Sequence, residues 1–270
     1  MTLAYDTAGD GPSVLLVHST ATDRRMWDPQ VPALVAAGYR AVRCDLRGFG
    51  DTPPADRPYD DAGDLLDLLD DLGVERAAVV ASSGGGAVAL ELAARHPRRV
   101  STLVLLCAMR AGHRPGARLA EFGAREDALL EAGDLDAATR LNVDLWMGPQ
   151  GGAAARRSMY VMQHHAFTVQ RGAPGVDGGD RVSDPVAITA RTLLISGDHD
   201  VEDFRQIAAE LAGIIPGARH LPLDWAGHLP SMERPDLLDP LLLEFLAGAD
   251  PGQTTDVTRS SEGISSHSSG

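Results

Sequence analysis

The sequence predicts an α/β protein built on a mostly parallel β-sheet that is flanked by helices. Short apolar runs without polar alternation recur along the chain, as expected for strands buried on both faces. Helical patterns separate these runs, which is typical of parallel sheets wrapped by helices. The chain has 270 residues and is 44% hydrophobic, enough for one sizeable domain with an insertion. No repeat of about 20–50 residues occurs, which excludes solenoids.

Five apolar runs predict the strands of this sheet. In chain order they cover residues 14–17, 39–43, 77–80, 102–106 and 192–195. The acidic stretch 64–71 carries leucines at helical spacing and predicts an amphipathic helix with a solvated face. Residues 235–246 predict the last helix.

The strand pattern lapses between about residues 108 and 186. Segments 119–132, 135–146 and 153–167 have helical patterns instead, and 171–180 is a Gly-rich link. After residue 246 the chain is rich in Ser, Thr, Gly and Asp and lacks apolar periodicity. We therefore expect residues 248–270 to be a disordered tail.

The chain is acidic, with a net charge of −14 at pH 7 and a pI near 4.9. Such a charge disfavours nucleic acids and anionic membrane surfaces as partners. No signal peptide is visible, and no apolar stretch approaches the ~20 residues of a membrane helix. Cys44 and Cys107 each follow a strand-like run, so we expect buried free thiols and a cytoplasmic protein. The oligomeric state is left open.

The most informative segment is the junction VVASSGGGAVAL at residues 79–90. An apolar run ends at two serines, and three glycines lead directly into a helical pattern. This is the pattern of a nucleophile elbow, in which a serine lies on a sharp strand-to-helix turn. The turn requires small residues two before and two after the nucleophile. Ala81 and Gly85 flank Ser83 in this way, whereas Ser82 would place Val80 there, so we expect Ser83 to be the nucleophile, with Ala81 replacing the first glycine of G-x-S-x-G.

A serine of this kind needs an acid and then a histidine, each on a loop after a later strand. Asp198 and Asp200 follow the predicted strand at 192–195, and both are candidates for the acid. The other carboxylate would be a solvated turn residue. His228 lies in the sequence AGHLP just before the last helix and is the candidate base.

Four ordered segments resemble the α/β-hydrolase superfamily. GDHD at 197–200 and AGHLPSMERP at 226–235 resemble its acid and histidine loops. DLRGFGDT at 45–52 resembles its D-x-R-G-x-G-x-S/T turn, and VLLVH at 14–18 resembles the strand that leads to its oxyanion loop. The resemblance implies an α/β-hydrolase fold, with a core domain at 1–107 and 187–247 and a helical cap insertion at 108–186 over the active site.

The resemblance also implies a role for each of these residues. Asp200 matches the position of the family's acid, which favours it over the carboxylate two residues earlier. His228, held by Asp200, would take the proton from Ser83 as the serine attacks a carbonyl carbon. Asp45 and Arg47 match structural positions, where they would pin the turn behind the elbow by local hydrogen bonds.

The oxyanion hole is expected to use the backbone amides of Gly84 and Thr20. The family usually has His-Gly-x where this chain has His18, Ser19 and Thr20. Ser19 therefore replaces a glycine and offers a hydroxyl that could support the hole or contact substrate. His18 itself matches a structural position. Gly84 stands where Met or Gln is common, and we expect it to widen the pocket floor.

The cap is expected to set substrate choice through its apolar face. Candidate substrate-binding residues are Ser19, Trp27, Trp146 and Met162, and the cap also offers Met147, Met159 and Phe167. For each cap residue, packing within the cap is the more frequent role. No metal is expected, because the adjacent His164 and His165 project in different directions on a helix. No cofactor is expected either.

The predicted activity follows from the serine. A serine nucleophile argues against haloalkane dehalogenases and epoxide hydrolases, which use aspartate at that position. Residues 200–204 and 215–219 resemble enol-lactonase-like members of the superfamily. The sequence therefore predicts a serine hydrolase of small carboxylic esters or lactones, whose partner is that small molecule. Two alternatives stay open: C–C bond hydrolysis or cofactor-free perhydrolysis and haloperoxidation on the same triad, and a non-catalytic ligand-binding protein of this fold.

Overall fold

A computed structural model of the protein describes residues 3–173 and 184–248. Within them, seven strands form one sheet in the order β1-β3-β2-β4-β5-β6-β7. β1 runs antiparallel to β3, and the other neighbouring strands pair in parallel. The predicted mostly parallel sheet is confirmed. The strands are β1 Tyr5–Ala8, β2 Ser13–Val17, β3 Arg40–Cys44, β4 Ala77–Ser82, β5 Val100–Leu106, β6 Arg191–Gly197 and β7 Arg219–Leu223.

Helices cover both faces of the sheet, because strand side chains alternate between two apolar clusters. α2, α3 and α7 pack on one face around Leu15 and Val79. α1, α9 and the helices between β5 and β6 pack on the other, around Leu16 and Val80. The helices are α1 Gln30–Ala36, α2 Asp61–Asp71, α3 Gly84–Arg95, α4 Ala117–Glu131, α5 Leu135–Trp146, α6 Ala153–Gln170, α7 Glu202–Ile214, α8 Pro230–Glu233 and α9 Pro235–Leu246.

Two strands were not predicted from the sequence, and both lie at the edges of the sheet. β1 alternates between exposed and half-buried residues, so it lacks a continuous apolar run. β7 buries only Leu223 and contains Pro222, a residue that argues against an interior strand. Edge strands bury less surface, and their apolar signal is correspondingly weak.

Among the described residues between β5 and β6, where the strand pattern lapses, three α-helices are present, α4 to α6. Their bounds agree with the predicted helical segments to within three residues. α5 packs against both α4 and α6. The division into a core at 1–107 and 187–247 and a cap at 108–186 stays a prediction. The predicted tail, 248–270, lies outside the described residues apart from Gly248, as does the Gly-rich link from residue 174 onward.

The parallel strands bring the predicted site together. Ser83 follows β4, Asp200 follows β6 and His228 follows β7, while Thr20 lies beyond the end of β2. The carboxyl ends of neighbouring parallel strands meet at one edge, where the binding crevice of an open α/β sheet forms. Across the described ranges, the helices are too short or too polar to cross a bilayer.

Candidate active site

Ser83 lies at the sharp junction between β4 and α3. Its backbone has φ 51° and ψ −120°, a region that costs a non-glycine residue about 1–3 kcal/mol. The conformation is held by the Ser83 amide, which donates to the Leu106 carbonyl at 3.0 Å, and by the Ser83 carbonyl, which accepts from Gly86 and Met109. A side chain at Gly85 would place its Cβ 2.3 Å from the His18 carbonyl oxygen. The glycine two residues after Ser83 is therefore sterically required.

Ser83, His228 and Asp200 form a continuous hydrogen-bonded chain. Ser83 Oγ lies 2.8 Å from His228 Nε2, and His228 Nδ1 lies 2.7 Å from Asp200 Oδ2. A carboxylate only accepts hydrogen bonds, so Nδ1 carries the proton donated to Asp200 and Nε2 accepts from the serine hydroxyl. The second oxygen of Asp200 accepts from the Val201 amide at 2.7 Å. All three catalytic candidates are buried, so water competes little for these bonds.

The alternative candidates lie apart from this chain. Asp198 is exposed, and the residue two positions later contacts His228. Ser82 is fully buried at the end of β4, and its hydroxyl has no hydrogen-bond partner among the described residues. The geometry therefore brings Ser83 and Asp200, rather than their neighbours, to the histidine.

The predicted oxyanion donors lie side by side. No hydrogen bond from the amide of Thr20 or Gly84 to another described residue is found, and Gly84 is the first residue of α3, where helix N–H groups have no intrahelical acceptor. A Cβ on Gly84 would meet Thr20 Cγ2 at 2.5 Å. The expectation that Gly84 widens the pocket floor is therefore wrong, because the Thr20 side chain fills that space.

Ser19 braces the loop that carries Thr20. It is fully buried, and its hydroxyl accepts from the Ala21 amide at 3.2 Å. The Ser19 amide donates to Met26 Sδ at 3.3 Å, and its carbonyl accepts from Thr22. Its predicted contact with substrate stays a prediction. These bonds explain how the loop keeps its shape without the usual glycine.

His18 joins this loop to the turn at 45–52. Its Nδ1 donates to the Ser19 carbonyl at 2.8 Å, and its Nε2 accepts from the Leu46 amide at 2.9 Å. Burial lowers the pKa of His18, which agrees with a neutral ring in this bonding pattern. The geometry gives His18 a structural role.

The turn residues Asp45 and Arg47 differ in how they bond. Asp45 accepts from the Asp51 amide within its own turn. It also bonds the amide and the guanidinium of Arg24, 21 residues earlier in the chain, so it connects the turn to a distant segment as well. Arg47 instead bonds the carboxylate of Asp64 on α2, at 2.6 and 2.7 Å. Arg47 therefore connects the turn to α2 and does not make the expected local hydrogen bond within the turn.

Two aromatic rings enclose the His228 imidazole. The ring centroids of Trp146 and Phe204 lie 4.5 and 4.2 Å from that of His228. Trp146 is the last residue of α5, and its Nε1 donates to Asn142 at 2.9 Å. Sequence reasoning proposed Trp146 as a substrate contact and missed Phe204, although Phe204 stands only four residues after Asp200. A histidine between two rings is shielded from solvent.

The remaining pocket candidates Trp27 and Met162 belong to the same apolar cluster as Trp146. Trp27 is fully buried, and its Nε1 has no hydrogen-bond partner within the described ranges. Met162, on α6, belongs to the same cluster and is also buried. Their contact with substrate stays a prediction. Met147 and Met159, also proposed from the cap, belong to this cluster, whereas Phe167 is buried but is not part of it.

One set of side chains has the composition of a metal site. Cys107, Asp200 and His228 offer ligand atoms that all lie within 4.8 Å of one another. Two of those atoms already bond each other, and burial raises the pKa of the Cys107 thiol well above its usual value. A protonated thiol is a poor ligand, so these residues fit the hydrogen-bonded chain better than a metal. Cys44 and Cys107 are buried free thiols, as predicted.

The chain is similar to known hydrolases over most of its length. A profile described as the alpha/beta hydrolase family matches residues 14–239. BpoC of Mycobacterium tuberculosis, provisionally named a non-heme bromoperoxidase, is 30% identical over 269 residues, covering 91% of this chain and 97% of that protein. Two solved structures are also similar. A hydrolase from Pseudomonas aeruginosa PA01 is 29% identical with a TM-score of 0.76, covering 92% and 94% of the two chains.

The second is the enol-lactonase from Burkholderia xenovorans LB400, which is 26% identical with a TM-score of 0.74 and covers 91% and 96% of the two chains. The family profile spans well over half of the chain, and the sheet order and flanking helices agree with it. The protein is therefore an enzyme of the alpha/beta hydrolase family.

Proposed function

We propose that this enzyme is a serine hydrolase that cleaves a small carboxylic ester or lactone through an acyl-enzyme on Ser83. The observation that carries the proposal is the unbroken chain from Ser83 Oγ through His228 to Asp200, at 2.8 and 2.7 Å. The strained backbone of Ser83 supports it, because such strain is concentrated at functional sites. The similarity to an enol-lactonase supports the ester and lactone class.

In the first half-reaction, Ser83 Oγ attacks the carbonyl carbon while His228 Nε2 takes its proton. The imidazolium that forms is stabilised by the carboxylate of Asp200, which stays ionised and fixes the orientation of the ring. The carbonyl oxygen becomes negatively charged. Collapse of the tetrahedral intermediate expels the alcohol oxygen, which takes the proton from Nε2. In a lactone, that alcohol remains attached to the acyl group.

The developing oxyanion would lie between the amides of Thr20 and Gly84. The N-terminus of α3 adds the positive end of a helix dipole at that point. Loss of one such donor costs on the order of 3 kcal/mol of transition-state stabilisation. In the second half-reaction, His228 takes a proton from water, the resulting hydroxide attacks the acyl carbon, and Ser83 leaves with the proton returned.

The enclosure of the site favours a small, apolar acyl group. Ser83 is 4% exposed and His228 is 2% exposed. Trp146 and Phe204 shield the imidazole, and the neighbouring cap residues are methionines and other apolar side chains. A highly charged acyl group would lose its hydration without gaining a partner in such surroundings.

Perhydrolysis is a second candidate, favoured by the similarity to BpoC and its provisional name. In that reaction hydrogen peroxide replaces water and attacks the acyl-enzyme, which releases a peracid and free Ser83. The peracid would then oxidise bromide to hypobromite and return to the carboxylic acid. The same serine, histidine and aspartate serve both reactions.

The test compares Ser83→Ala and His228→Ala with Ser82→Ala as a matched control. We expect p-nitrophenyl butyrate hydrolysis to fall by about 10⁴-fold or more in the first two variants. Ser82→Ala should stay within about threefold of the parent, because its hydroxyl makes no hydrogen bond to a described residue. An alkylphosphonate should label the parent once, at Ser83, as read by peptide mass mapping.

Labelling at another residue, or near-parental hydrolysis by Ser83→Ala, would contradict the nucleophile assignment. A folded parent that neither hydrolyses esters nor reacts with the phosphonate would indicate a ligand-binding protein instead. Peroxide-dependent bromination of monochlorodimedone in acetate, absent from Ser83→Ala, would support perhydrolysis. Bromination that survives in Ser83→Ala would count against it.

A further inference from the structure

Glu233 is a buried carboxylate that faces the backbone on both sides of His228. It ends the short helix α8 and is 4% exposed. Its oxygens accept from the Gly227 amide at 3.0 and 3.1 Å and from the Leu229 amide at 3.2 Å. The Glu233 amide in return donates to the Leu229 carbonyl at 3.0 Å. A single side chain therefore holds the backbone on both sides of His228. We call this segment, residues 227–229, the histidine loop.

The same carboxylate contacts the chain between α5 and α6, residues 147–152, which we call the cap turn. The Gly148 backbone lies directly against the Glu233 carboxylate. Burial raises the pKa of Glu233, and the backbone amides around the carboxylate oppose that rise. A Cβ on Gly148 would lie 2.2 Å from Glu233 Oε2 and 2.6 Å from Gly227 Cα. The two glycines therefore allow the cap turn, the histidine loop and the carboxylate to meet.

The cap turn is well braced on its own side. The Arg156 guanidinium on α6 donates to the carbonyls of Met147, Gly148 and Gly151 at 3.0 to 3.2 Å. Trp146, directly before the turn, packs its ring on His228. A rigid turn of this kind can hold the loop that it contacts.

We infer that Glu233 is a positioning residue that fastens the cap turn to the histidine loop, so that the cap holds His228 within reach of Ser83. The inference rests on the proposed function. Burying an ionised carboxylate is costly unless hydrogen bonds compensate it. The Gly227 and Leu229 amides supply such bonds here, and the cap turn packs against the same carboxylate at Gly148. The helices between β5 and β6 would then contribute to catalysis as well as to substrate choice.

Loss of the carboxylate would leave the Gly227 and Leu229 amides without their acceptor in a dry environment. The histidine loop would then move to regain partners, and Nε2 would shift relative to Ser83 Oγ. A displacement of about 1 Å at a catalytic group can cost on the order of 10²-fold in rate. Because substrate binding depends on other surfaces, we expect the loss of Glu233 to lower kcat and to leave KM nearly unchanged.

The test measures kcat, KM and the rate of phosphonate labelling for Glu233→Ala and Glu233→Gln. We expect Glu233→Ala to lower kcat and the labelling rate by at least about tenfold, with KM within about threefold of the parent. Glu233→Gln should recover a part of the loss, because an amide oxygen still accepts from both loop amides. Glu131→Gln removes an exposed carboxylate at the end of α4 and serves as the charge control.

Gly148→Ala perturbs the same contact from the cap turn. It provides the test by itself if Glu233→Ala does not fold. Its methyl group would collide with Glu233, whereas a Cβ on Gly152 meets no atom within 4 Å. We expect Gly148→Ala to lower kcat by at least about fivefold and Gly152→Ala to leave it within about twofold. Thermal unfolding of each variant separates a loss of folded protein from a slower folded enzyme.

The inference is overturned if folded Glu233→Ala and Gly148→Ala keep the parental kcat and labelling rate while Ser83→Ala is inactive. A lower melting temperature with unchanged kcat would give Glu233 a purely structural role. If the parent itself is not labelled at Ser83, the proposed function fails first, and that outcome is distinct from a normal parent with unaffected Glu233 variants.

Discussion

At the scale of single residues, Thr20 and Gly84 form a complementary pair beside the nucleophile. Thr20 is an exposed residue, and its methyl group lies 2.5 Å from the position that a Cβ at residue 84 would take. The branched side chain at position 20 therefore requires a glycine at position 84. Both contribute the backbone amides that we propose for the oxyanion hole, so a change in one side chain also moves an amide.

We predict that Gly84→Ala lowers kcat by about tenfold, equivalent to about 1.4 kcal/mol of activation free energy. The new methyl group displaces Thr20 and its amide. Adding Thr20→Ala removes the colliding atoms and should bring kcat back to within about threefold of Thr20→Ala alone. Steady-state kinetics of the four proteins measure this coupling. Additive effects in the double variant would show that the two side chains do not compete for space.

Sequence predicts the residue-scale features that depend on local sterics. Ala81 and Gly85 distinguish Ser83 from Ser82 because the space available in a tight turn is a property of a few neighbouring residues. Contacts between distant segments have no such local signal. Phe204 reaches the His228 region only after the sheet has aligned β6 with β7.

At the scale of elements, α2 carries a destabilising charge in its first turn. Asp61 follows the N-cap Asp60, and its Oδ1 is buried without a hydrogen-bond partner among the described residues. Burial, reinforced by the nearby charge of Asp64, raises the pKa of Asp61 from 3.8 to about 7. Arg47 bonds Asp64 and only partly offsets this effect.

The sign of the resulting pH dependence follows from proton binding. Between pH 3.8 and about 7 the folded protein holds the Asp61 proton more tightly than the unfolded chain. The contribution of Asp61 to the free energy of unfolding therefore falls as pH rises through that window and reaches its minimum above it. We predict that Asp61→Asn is more stable than the parent at pH 8, with an advantage on the order of 2 kcal/mol larger than at pH 5.

Urea unfolding of both proteins at the two pH values measures this difference. Asp67→Asn is the matched control, because Asp67 is an exposed carboxylate on the same helix. It should change stability by less than about 0.5 kcal/mol at either pH. An Asp61→Asn advantage that is equal at pH 5 and pH 8 would contradict the raised pKa.

Inner strands and edge strands differ in how readily the sequence predicts them. The inner strands β2 to β6 are rich in apolar residues because helices cover both faces of the sheet, and the sequence predicts each of these strands. The edge strands β1 and β7 pair on one side only, and register with a neighbour decides their structure. That register depends on the neighbouring strand. The edge strands contain no continuous apolar run from which the sequence could predict them.

At the scale of the whole molecule, burial is distributed unevenly between the sheet and helices α4 to α6. The central strands β4 and β5 are almost fully buried. α5 and α6 bury one face each against the apolar cluster that holds Trp27. α4 has fifteen residues and none of them is buried. Its stability therefore depends on partial contacts such as that of Phe122 with Trp146, whose ring centroids lie 5.0 Å apart.

Local stability follows buried apolar contact, and weakly packed segments open without unfolding the rest. We predict that the amides of α4 exchange with solvent deuterium at least about a hundredfold faster than those of β4 and β5. α5 and α6 should be intermediate, because the cap turn between them packs against Glu233 and the histidine loop at Gly148. Hydrogen exchange read by mass spectrometry measures all of these elements in one experiment.

Protection of α4 equal to that of β4 would mean that the helix opens only with the whole protein. Faster exchange of α5 and α6 in Glu233→Ala, with β4 unchanged, would show that the contact at His228 stabilises these helices as well as the histidine.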